Sequence, residues 1–211
     1  MRPLLFGTNP DGKAQGVFVA FHAKHILTNE DNGDRFSPLL GESVPVVLMI
    51  NRLDGMISFP GGSVELGETL ADAAVREIRE ELGYVIEKKS LVPIVSYDTG
   101  IVAHLFAVEV DFETLLKIQI QAIKVRKACS EVTGTFVAHV VHNIPPFLGK
   151  RGICSVFSSA LIPGVREELM HLCYMYGYLS RGDLRDIWRK VKLPEYAVDD
   201  ALDIYFLTKA N

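Results

Sequence analysis

The sequence has 211 residues, of which 48% are hydrophobic and 23% charged, and this balance predicts one globular domain spanning residues 1–211. Its net charge of -4 excludes a general basic surface for nucleic acid and leaves open only a local basic patch. Three widely spaced cysteines disfavour a disulfide framework or a zinc site, and the N-terminus lacks a signal-peptide or membrane-span pattern, so we expect a nuclear or cytoplasmic protein without membrane association.

The first part of the chain alternates polar segments with short apolar runs that are typical of buried strands. Residues 1–15 are rich in turn formers and predict an N-terminal arm. Strands are predicted at residues 16–23, 44–50 and 56–59, with a polar loop at 29–42.

The later part of the chain combines strands with helices. Strands are predicted at residues 91–97, 101–110 and 132–141. A helix is predicted from an Asp111 cap to residue 127, because an Asp side chain accepts the free amide protons of a helix start. Apolar residues at helical spacing over 164–176 and a basic helix at 183–192 predict a helical C-terminal part over 164–207. Interleaved strands and helices predict an α/β or α+β class with helices flanking a mixed sheet.

The segment at residues 59–86 carries the chemistry-bearing side chains and reads FPGGSVELGETLADAAVREIREELGYVI. Strong helix formers between residues 69 and 82 predict a helix there. Its buried stripe recurs every four residues at Leu70, Ala74, Ile78 and Leu82. Gly83 supplies the C-terminal stop.

Three glutamates, Glu77, Glu80 and Glu81, lie at helix positions i, i+3 and i+4 and therefore share one face. Each like-charged pair costs roughly 0.2–0.5 kcal/mol on an isolated helix, and the negative end of the helix dipole adds to the repulsion. A hard divalent cation would reverse the balance, because carboxylate oxygens are natural ligands of Mg²⁺. A solvated acidic helix neutralised by Arg76 and Arg79 is the alternative that these residues leave open.

The same segment matches the pattern G-x5-E-x7-R-E-U-x-E-E-x-G-U at every position, with Tyr84 in the last apolar place. A chance match of the fixed positions at one start point has odds on the order of one in a hundred million. The chain is on this basis identified as similar to the Nudix hydrolase superfamily. The resemblance implies an α/β/α sandwich with a mixed sheet, in which residues 59–86 form a loop–helix–loop catalytic motif.

The resemblance also implies roles for individual residues. Glu77, Glu80 and Glu81 would hold Mg²⁺ or Mn²⁺, with the carbonyl of Gly61 as a further ligand. Arg76 would pair with Glu68 and orient the catalytic face. The reaction would be attack of water on a phosphorus of a pyrophosphate, with Glu80 or a residue of a later loop as the base.

Four stretches outside the motif resemble the branch of the superfamily that decaps small nucleolar RNA and hydrolyses (deoxy)inosine diphosphate. They read AFHA at 20–23, LMINRLDGMISFPGG at 48–62, IVAHLFA at 101–107 and LIPGVREEL at 161–169. This likeness implies substrate contacts at His22, Arg52, Phe59 and Glu168. The alternatives without a function are that His22 and Phe59 are core residues and that Arg52 is a surface residue. Glu168 stands where the branch has Gln, and Ser63 where it has an aromatic, which leaves the base preference open.

Three functions therefore remain in competition. The first is hydrolysis of a nucleotide or a capped RNA, which is the expected substrate. The second is hydrolysis of pool nucleotides or ADP-ribose. The third is a catalytically idle module that binds RNA or protein. The intact motif glutamates disfavour the third. The resemblance suggests a homodimer, and the sequence itself does not indicate the oligomeric state. Basic residues that would form an RNA track or a solvated face are Lys117, Lys124, Arg126, Lys127, Lys150, Arg151, Arg181, Arg185, Arg189 and Lys190.

Overall fold

The computed structural model describes residues 2–28, 41–125, 131–141 and 152–191. The strands are β1 (Arg2–Leu4), β2 (Gln15–Ile26), β3 (Ser43–Arg52), β4 (Ile57–Ser58), β5 (Gly61–Ser63), β6 (Val92–Asp98), β7 (Val102–Glu109) and β8 (Val132–His139). The helices are α1 (Leu70–Leu82), α2 (Phe112–Val125), α3 (Gly152–Phe157), α4 (Val165–Met175) and α5 (Arg181–Lys190), with a 3₁₀ turn at Lys88–Ser90.

These strands form one mixed sheet in the order β1-β6-β7-β2-β3-β4, while β5 pairs with β2 and β8 pairs with β3. The parallel pair β2 and β7 lies at the centre, and the other pairings are antiparallel. Side chains alternate along β2, so Val17, Val19 and Phe21 face one side of the sheet and Ala20 faces the other. Both sides of the central strand are therefore available for apolar packing.

Each face of the sheet carries its own core. One core packs α1 and α2 onto the sheet through Ile78, Leu82 and Leu115, which are fully buried. The other packs the helices α3, α4 and α5 onto the opposite face, with Leu169 and Ile187 fully buried. Helix, sheet and helix thus stack as three layers, and the predicted α/β/α sandwich with a mixed sheet is confirmed.

The two helices over the first face begin at side-chain caps. The hydroxyl of Thr69 accepts a hydrogen bond from the Asp72 N–H at 3.1 Å at the start of α1. The Asp111 carboxylate accepts one from the Thr114 N–H at 2.7 Å at the start of α2. Both predicted helix starts are confirmed. The predicted end of the second helix, at residue 127, lies outside the described residues.

The structure differs from the sequence prediction in three short elements. The predicted N-terminal arm contains β1, which pairs antiparallel with β6 from Arg2↔Asp98 to Leu4↔Ser96. The first loop of the predicted loop–helix–loop motif contains strand β5, which pairs with β2. Helix α3 has no counterpart in the prediction. Two- and three-residue strands carry too few side chains to show a period, so only the register with their partners defines them.

The C-terminal helical part is described as far as Val191 and comprises α4 and α5. Helix α5 begins two residues earlier than predicted, because Ser180 and Asp183 form a reciprocal capping box. The predicted continuation to residue 207 lies outside the described residues, as does most of the predicted loop at 29–42. Among the helices of the described ranges, none is long and apolar enough to cross a membrane.

Candidate active site

A cleft of about 730 Å³ opens where β2, β5 and the C-terminal half of α1 meet. Its lining includes a group of glutamates, called the acidic wall, and a group of apolar side chains, called the apolar wall. The lining residues are Gly16, Phe18, Arg52, Gly61, Gly62, Ser63, Glu77, Glu80, Glu81, Ile101, Val125, Glu131 and Ile162. The cleft thus brings together the three motif glutamates, Gly61 and Arg52, which were all predicted from the sequence.

Two glycines allow α1 to approach the sheet at this point. Gly61 has a φ of 147°, and a Cβ there would overlap the carbonyl oxygen of Val17 on β2. A Cβ on Gly62 would lie 2.6 Å from the carboxyl carbon of Glu77. A side chain at Gly61 would push β5 away from the backbone of β2, and one at Gly62 would displace the Glu77 carboxylate. Strand β5 is consequently the close backbone floor beneath the glutamates.

Arg76 organises the carboxylates around it. Its Nε and Nη2 donate to the two carboxylate oxygens of Glu68 at 2.8 and 3.0 Å, and the predicted Arg76–Glu68 pair is therefore present. Its Nη1 donates to Glu77 at 2.8 Å and to Glu80 at 3.4 Å. Its Nη2 also donates to the carbonyl of Ser63 at 2.8 Å. One planar guanidinium thus joins the loop, the helix and strand β5.

Burial makes negative charge costly for two of the glutamates. Burial raises the pKa of Glu81 to about 8; the Gly61 N–H, donating at 2.8 Å, opposes this shift, and the charges of Glu77 and Glu131 add to it. Burial likewise raises the pKa of Glu77, against the pull of Arg76. The Arg76 guanidinium instead lowers the pKa of Glu68. Charge on the inner carboxylates accordingly needs a further cation for compensation.

The donor set suits a hard divalent cation, because it consists of carboxylate oxygens that burial and mutual repulsion leave short of positive charge. Across the described ranges, no cluster of three or more His, Cys, Asp or Glu side chains is already gathered around one point as a metal shell. Arg76 holds Glu77 and Glu80, while the Gly61 N–H holds Glu81. The residues fit a metal because they are carboxylates and because they line one cleft. Arg76 already forms hydrogen bonds with some of these carboxylate oxygens.

Arg52 reaches the cleft from the turn between β3 and β4. Its Nε donates to Asp54 at 3.1 Å, and its Nη1 lies 3.6 Å from the carboxylate of Glu131. The second oxygen of Asp54 accepts from the Met56 N–H at 3.0 Å and closes the turn. The Leu53 N–H donates to the carbonyl of Glu131 at 2.7 Å. The turn and the loop before β8 are therefore docked to each other beside the acidic wall.

Three predicted substrate contacts do not line the cleft. Phe59 is fully buried in the apolar core under α4, and its predicted contact with substrate stays a prediction. His22 is also fully buried; its Nδ1 lies 2.7 Å from the hydroxyl of Tyr178, and its ring centroid lies 4.0 Å from that of Tyr176. Burial lowers the pKa of His22 to about 4. Its contact with substrate stays a prediction.

Glu168 is the third of these residues, and it lies almost fully buried on α4. Within the described part of the chain neither carboxyl oxygen has a hydrogen-bond partner. Burial and the charge of Glu167 raise its pKa to about 8. A buried carboxyl without a partner is costly when ionised, so burial favours the neutral form of Glu168. Its predicted contact with substrate stays a prediction as well.

The sequence prediction missed Glu131 and the apolar wall formed by Phe18, Ile101 and Ile162. Glu131 is a single acid before a strand, and nothing in its neighbourhood separates it from other loop acids. Phe18 falls within a predicted strand, yet the pairing of Phe18 with Gly61 on β5 is what brings it to the cleft. The alternation along β2 was the only available signal. It shows which side chains share a face of the strand, but without knowledge of β5 it does not show that Phe18 reaches the cleft.

The three-layer sandwich and the glutamate-bearing loop–helix–loop define the class of the Nudix hydrolases. A solved mutT/nudix family protein from Listeria innocua shares this fold, with 17% sequence identity, a TM-score of 0.52 and coverage of 81% of this chain and 97% of that one. The family model described as "Nudt16-like: U8 snoRNA-decapping enzyme-like" matches residues 25–174. The chain therefore belongs to the Nudt16-like family of Nudix hydrolases.

Two curated relatives illustrate the range of similarity. The U8 snoRNA-decapping enzyme of Mus musculus is 29% identical over 159 residues, which cover 71% of this chain and 76% of the relative. An ADP-ribose pyrophosphatase of Methanocaldococcus jannaschii is 48% identical over 46 residues, which cover 22% of this chain and 27% of the relative. The first similarity extends over most of the chain, whereas the second is confined to a short segment.

Proposed function

We propose that this protein hydrolyses a pyrophosphate bond in a nucleoside-diphosphate-linked substrate, namely the 5′ cap of an RNA or (deoxy)inosine diphosphate. The observation that carries the proposal is the convergence of Glu77, Glu80 and Glu81 with Arg52 in one cleft. Carboxylates that bind a divalent cation and a guanidinium that binds phosphate are the two complementary parts of a site for a metal–diphosphate complex.

Mg²⁺ or Mn²⁺ would be held by Glu77, Glu80 and Glu81, with the Gly61 carbonyl as a further ligand. When bound, such a cation neutralises phosphate oxygens and lowers the pKa of a coordinated water. Burial and mutual repulsion already disfavour charge on Glu77 and Glu81, so the cation supplies compensation that the described residues provide only in part through Arg76.

The protein's own residues divide the remaining work. Arg76 orients the catalytic face by tying Glu77 and Glu80 to Glu68 and to strand β5. Arg52 binds the phosphate chain of the substrate, exchanging its contact with Glu131 for one with phosphate. The base is Glu80 or Glu131, because both side chains line the cleft and are well exposed, at 60% and 76%, and the contact of each with an arginine is long, at 3.4 and 3.6 Å.

Capped RNA as the substrate gains support from the match to the decapping relative over most of the chain. The RNA beyond the cap would follow a local basic track, to which Arg181, Arg185 and Arg189 contribute at four-residue spacing along α5. The predicted track residues Arg126, Lys127, Lys150 and Arg151 lie outside the described residues. A homodimer and a nuclear or cytoplasmic location, expected from the sequence resemblance and composition, are proposed along with this function.

A second candidate function is hydrolysis of ADP-ribose or of pool nucleotides. It is favoured by the 48% identity to the ADP-ribose pyrophosphatase, which is higher than the identity to the decapping relative but covers a much shorter segment. An idle binding module is the weakest alternative, since every glutamate of the motif is present and lines the cleft.

The test is a panel of capped RNA, IDP, ITP and ADP-ribose incubated with the purified protein and Mg²⁺ or Mn²⁺, with EDTA as the blank. The proposal predicts cleavage of capped RNA to a 5′ monophosphate. Hydrolysis of ADP-ribose or ITP without cleavage of RNA or IDP would instead favour the second function. Reversal of Arg185 and Arg189 to Glu should reduce kcat/KM for capped RNA but not for a dinucleotide cap analogue, and equal losses on both would remove the track.

A further inference from the structure

The pairing of β8 with β3 contains one extra residue close to the cleft. Asn51 lies opposite Gly134, and Arg52 lies opposite Val132, so Thr133 is the extra residue of a β-bulge. A bulge bends its strand and changes the direction of the side chains that follow it, and bulges are frequent beside active sites. The bulge at Thr133 lies at the point where β3 ends at Arg52, a residue of the cleft lining.

The effect of the bulge is visible in the packing of β8. Val132 and Val137 are five residues apart, and an odd spacing places two side chains on opposite faces of a regular strand. Both nevertheless pack into the core under α1 and α2, because the extra residue shifts the alternation by one position. The same shift applies to Glu131, which precedes Val132 and lines the cleft.

The hydroxyl of Thr133 holds the bulge against the end of β3. It donates to the carbonyl of Asn51 at 3.0 Å and, with a longer contact of 3.4 Å, to the carbonyl of Arg52. The Leu53 N–H donates to the carbonyl of Glu131 at 2.7 Å. Consecutive residues at the end of β3 are therefore bonded to the segment that carries Glu131 and Thr133.

These bonds fix the backbone that carries two side chains of the cleft. Arg52 and Glu131 both line the cleft, and the Arg52 Nη1 lies 3.6 Å from the Glu131 carboxylate. Arg52 is also held within its own turn, because its N–H donates to the Met56 carbonyl at 2.9 Å and its carbonyl accepts from the Gly55 N–H at 3.0 Å. The turn fixes the local backbone at Arg52, whereas the bulge fixes its position relative to Glu131.

We propose that Thr133 is a positioning residue of the cleft, whose hydroxyl fixes the bulge that sets Arg52 and Glu131 side by side. The inference rests on the proposed function, in which Arg52 binds the phosphate chain and Glu131 is one of two candidate bases. Thr133 itself lies outside the cleft lining and acts through these two residues. Position matters at this level, because a displacement of about 1 Å can cost about a hundredfold in rate.

A second threonine of the same strand provides the matched comparison. Thr135 lies two residues beyond Thr133 on β8, and both side chains are half-buried. The Thr135 Oγ1 is buried and has no hydrogen-bond partner within the described part of the chain. Replacing Thr135 by Val therefore breaks no hydrogen bond, whereas the same replacement at Thr133 frees the bulge from β3.

The first measurement is kcat/KM for the pyrophosphate substrate that the unaltered protein hydrolyses. Thr133→Val should lower it about tenfold, the scale of one lost hydrogen bond. Thr133→Ser keeps the hydroxyl and should restore activity to within about twofold of the unaltered protein. Thr135→Val should leave kcat/KM unchanged. Thermal unfolding of all three variants separates a shifted cleft from a general loss of stability.

The second measurement is the Kd of methylene diphosphonate, an analogue that resists hydrolysis, from calorimetric titration with Mn²⁺ present. Thr133→Val should raise this Kd several-fold, because Arg52 no longer meets the phosphate chain in the same position. In an Arg52→Ala background, Thr133→Val should raise it no further, since two residues that act as a unit are not additive. A general structural role of Thr133 would instead give the same increase in both backgrounds.

Three results would each overturn the positioning role: unchanged diphosphonate affinity in Thr133→Val, an equal loss in Thr135→Val, or an equal increase in Kd with and without Arg52. Absence of diphosphonate binding by the unaltered protein would overturn it as well, because Arg52 would then bind no phosphate. Failure of the proposed function is distinguishable, since the unaltered protein would bind the diphosphonate but hydrolyse none of the pyrophosphate substrates. The comparison of Kd values would in that case still decide the role of Thr133.

Discussion

Two buried titratable clusters of this protein stand in opposite electrostatic situations. Around His104 on β7, both ring nitrogens have partners, since Nδ1 lies 2.7 Å from the Ser96 hydroxyl and Nε2 lies 2.9 Å from the Gln15 side-chain oxygen. At the cleft, Glu77 and Glu81 are held near each other and near Glu131 with only partial compensation. The first cluster stabilises the fold. The second contains carboxylates whose charge is only partly compensated and which are therefore suited to bind a cation.

The first prediction removes one charge from the glutamate cluster at the cleft. Glu81→Gln should lower kcat for the pyrophosphate substrate by at least about a hundredfold, the scale of losing one group that stabilises transition-state charge. The amide oxygen still accepts from the Gly61 N–H, and the repulsion with Glu77 disappears, so the melting temperature should stay equal or rise. Steady-state kinetics and thermal unfolding check both halves. Near-normal activity with Mg²⁺ would remove Glu81 from the site.

Arg76→Ala should damage activity and stability together, because the guanidinium links Glu68, Glu77 and the Ser63 carbonyl. We expect a loss of about 2 kcal/mol in the free energy of unfolding from these charged hydrogen bonds. Urea unfolding measures the loss, and Arg79→Ala is the matched control on the exposed face of the same helix. If both variants unfold alike, the central role of Arg76 is refuted.

Asp54→Asn should have a smaller effect, confined to substrate binding. An Asn oxygen still accepts from the Met56 N–H and preserves the turn, but the charged partner that orients Arg52 is lost. We expect KM to rise several-fold with kcat nearly unchanged, because the role proposed for Arg52 is binding of the phosphate chain. Asp54→Glu should restore part of the loss. A fall in kcat at constant KM would contradict this positioning.

The smallest effect concerns stability against pH in the metal-free protein. The folded-state pKa of Glu81, raised from 4.5 to about 8, makes stability fall as pH rises through that window. The folded-state pKa of His104, lowered from 6.5 to about 4 by burial, makes stability fall as pH drops below 6.5.

Urea unfolding in EDTA at pH 5, 6.5 and 8 separates the two contributions. Relative to the unaltered protein, Glu81→Gln should gain stability progressively from pH 5 to pH 8. His104→Leu should lose about 1–3 kcal/mol at pH 8, because the buried Ser96 and the half-buried Gln15 each lose their partner, with kcat nearly unchanged. A pH-independent effect of Glu81→Gln would contradict the raised pKa.

The glutamate-bearing helix is the part of the site that the sequence predicts well. Helix α1 follows from local rules, since its cap at Thr69, its apolar stripe and its end at Gly83 lie within one continuous segment. The placement of Glu77, Glu80 and Glu81 on one helix face follows from the same period. Local order and a dense motif are sufficient for the acidic wall and for the Arg76–Glu68 pair.

Long-range pairing decides the rest of the site. Phe18 and Ile101 line the same cleft as β5 because β2 pairs with both β5 and β7, and Glu131 lies in the loop before β8. No local period encodes these contacts. Burial of Phe59 likewise depends on how α4 covers the sheet, and the likeness of its sequence stretch to the branch does not determine which face the ring occupies.

The central claim is that the cleft glutamates bind a divalent cation, and calorimetric titration with Mn²⁺ at pH 7.5 tests it most directly. The unaltered protein should bind Mn²⁺, and Glu81→Gln should weaken binding at least tenfold. The control Glu87→Gln, which removes an exposed carboxylate with a Lys89 partner outside the cleft, should bind as the unaltered protein does. Equal Mn²⁺ affinity in all three proteins, or no binding even with a nucleoside monophosphate present, would contradict the account.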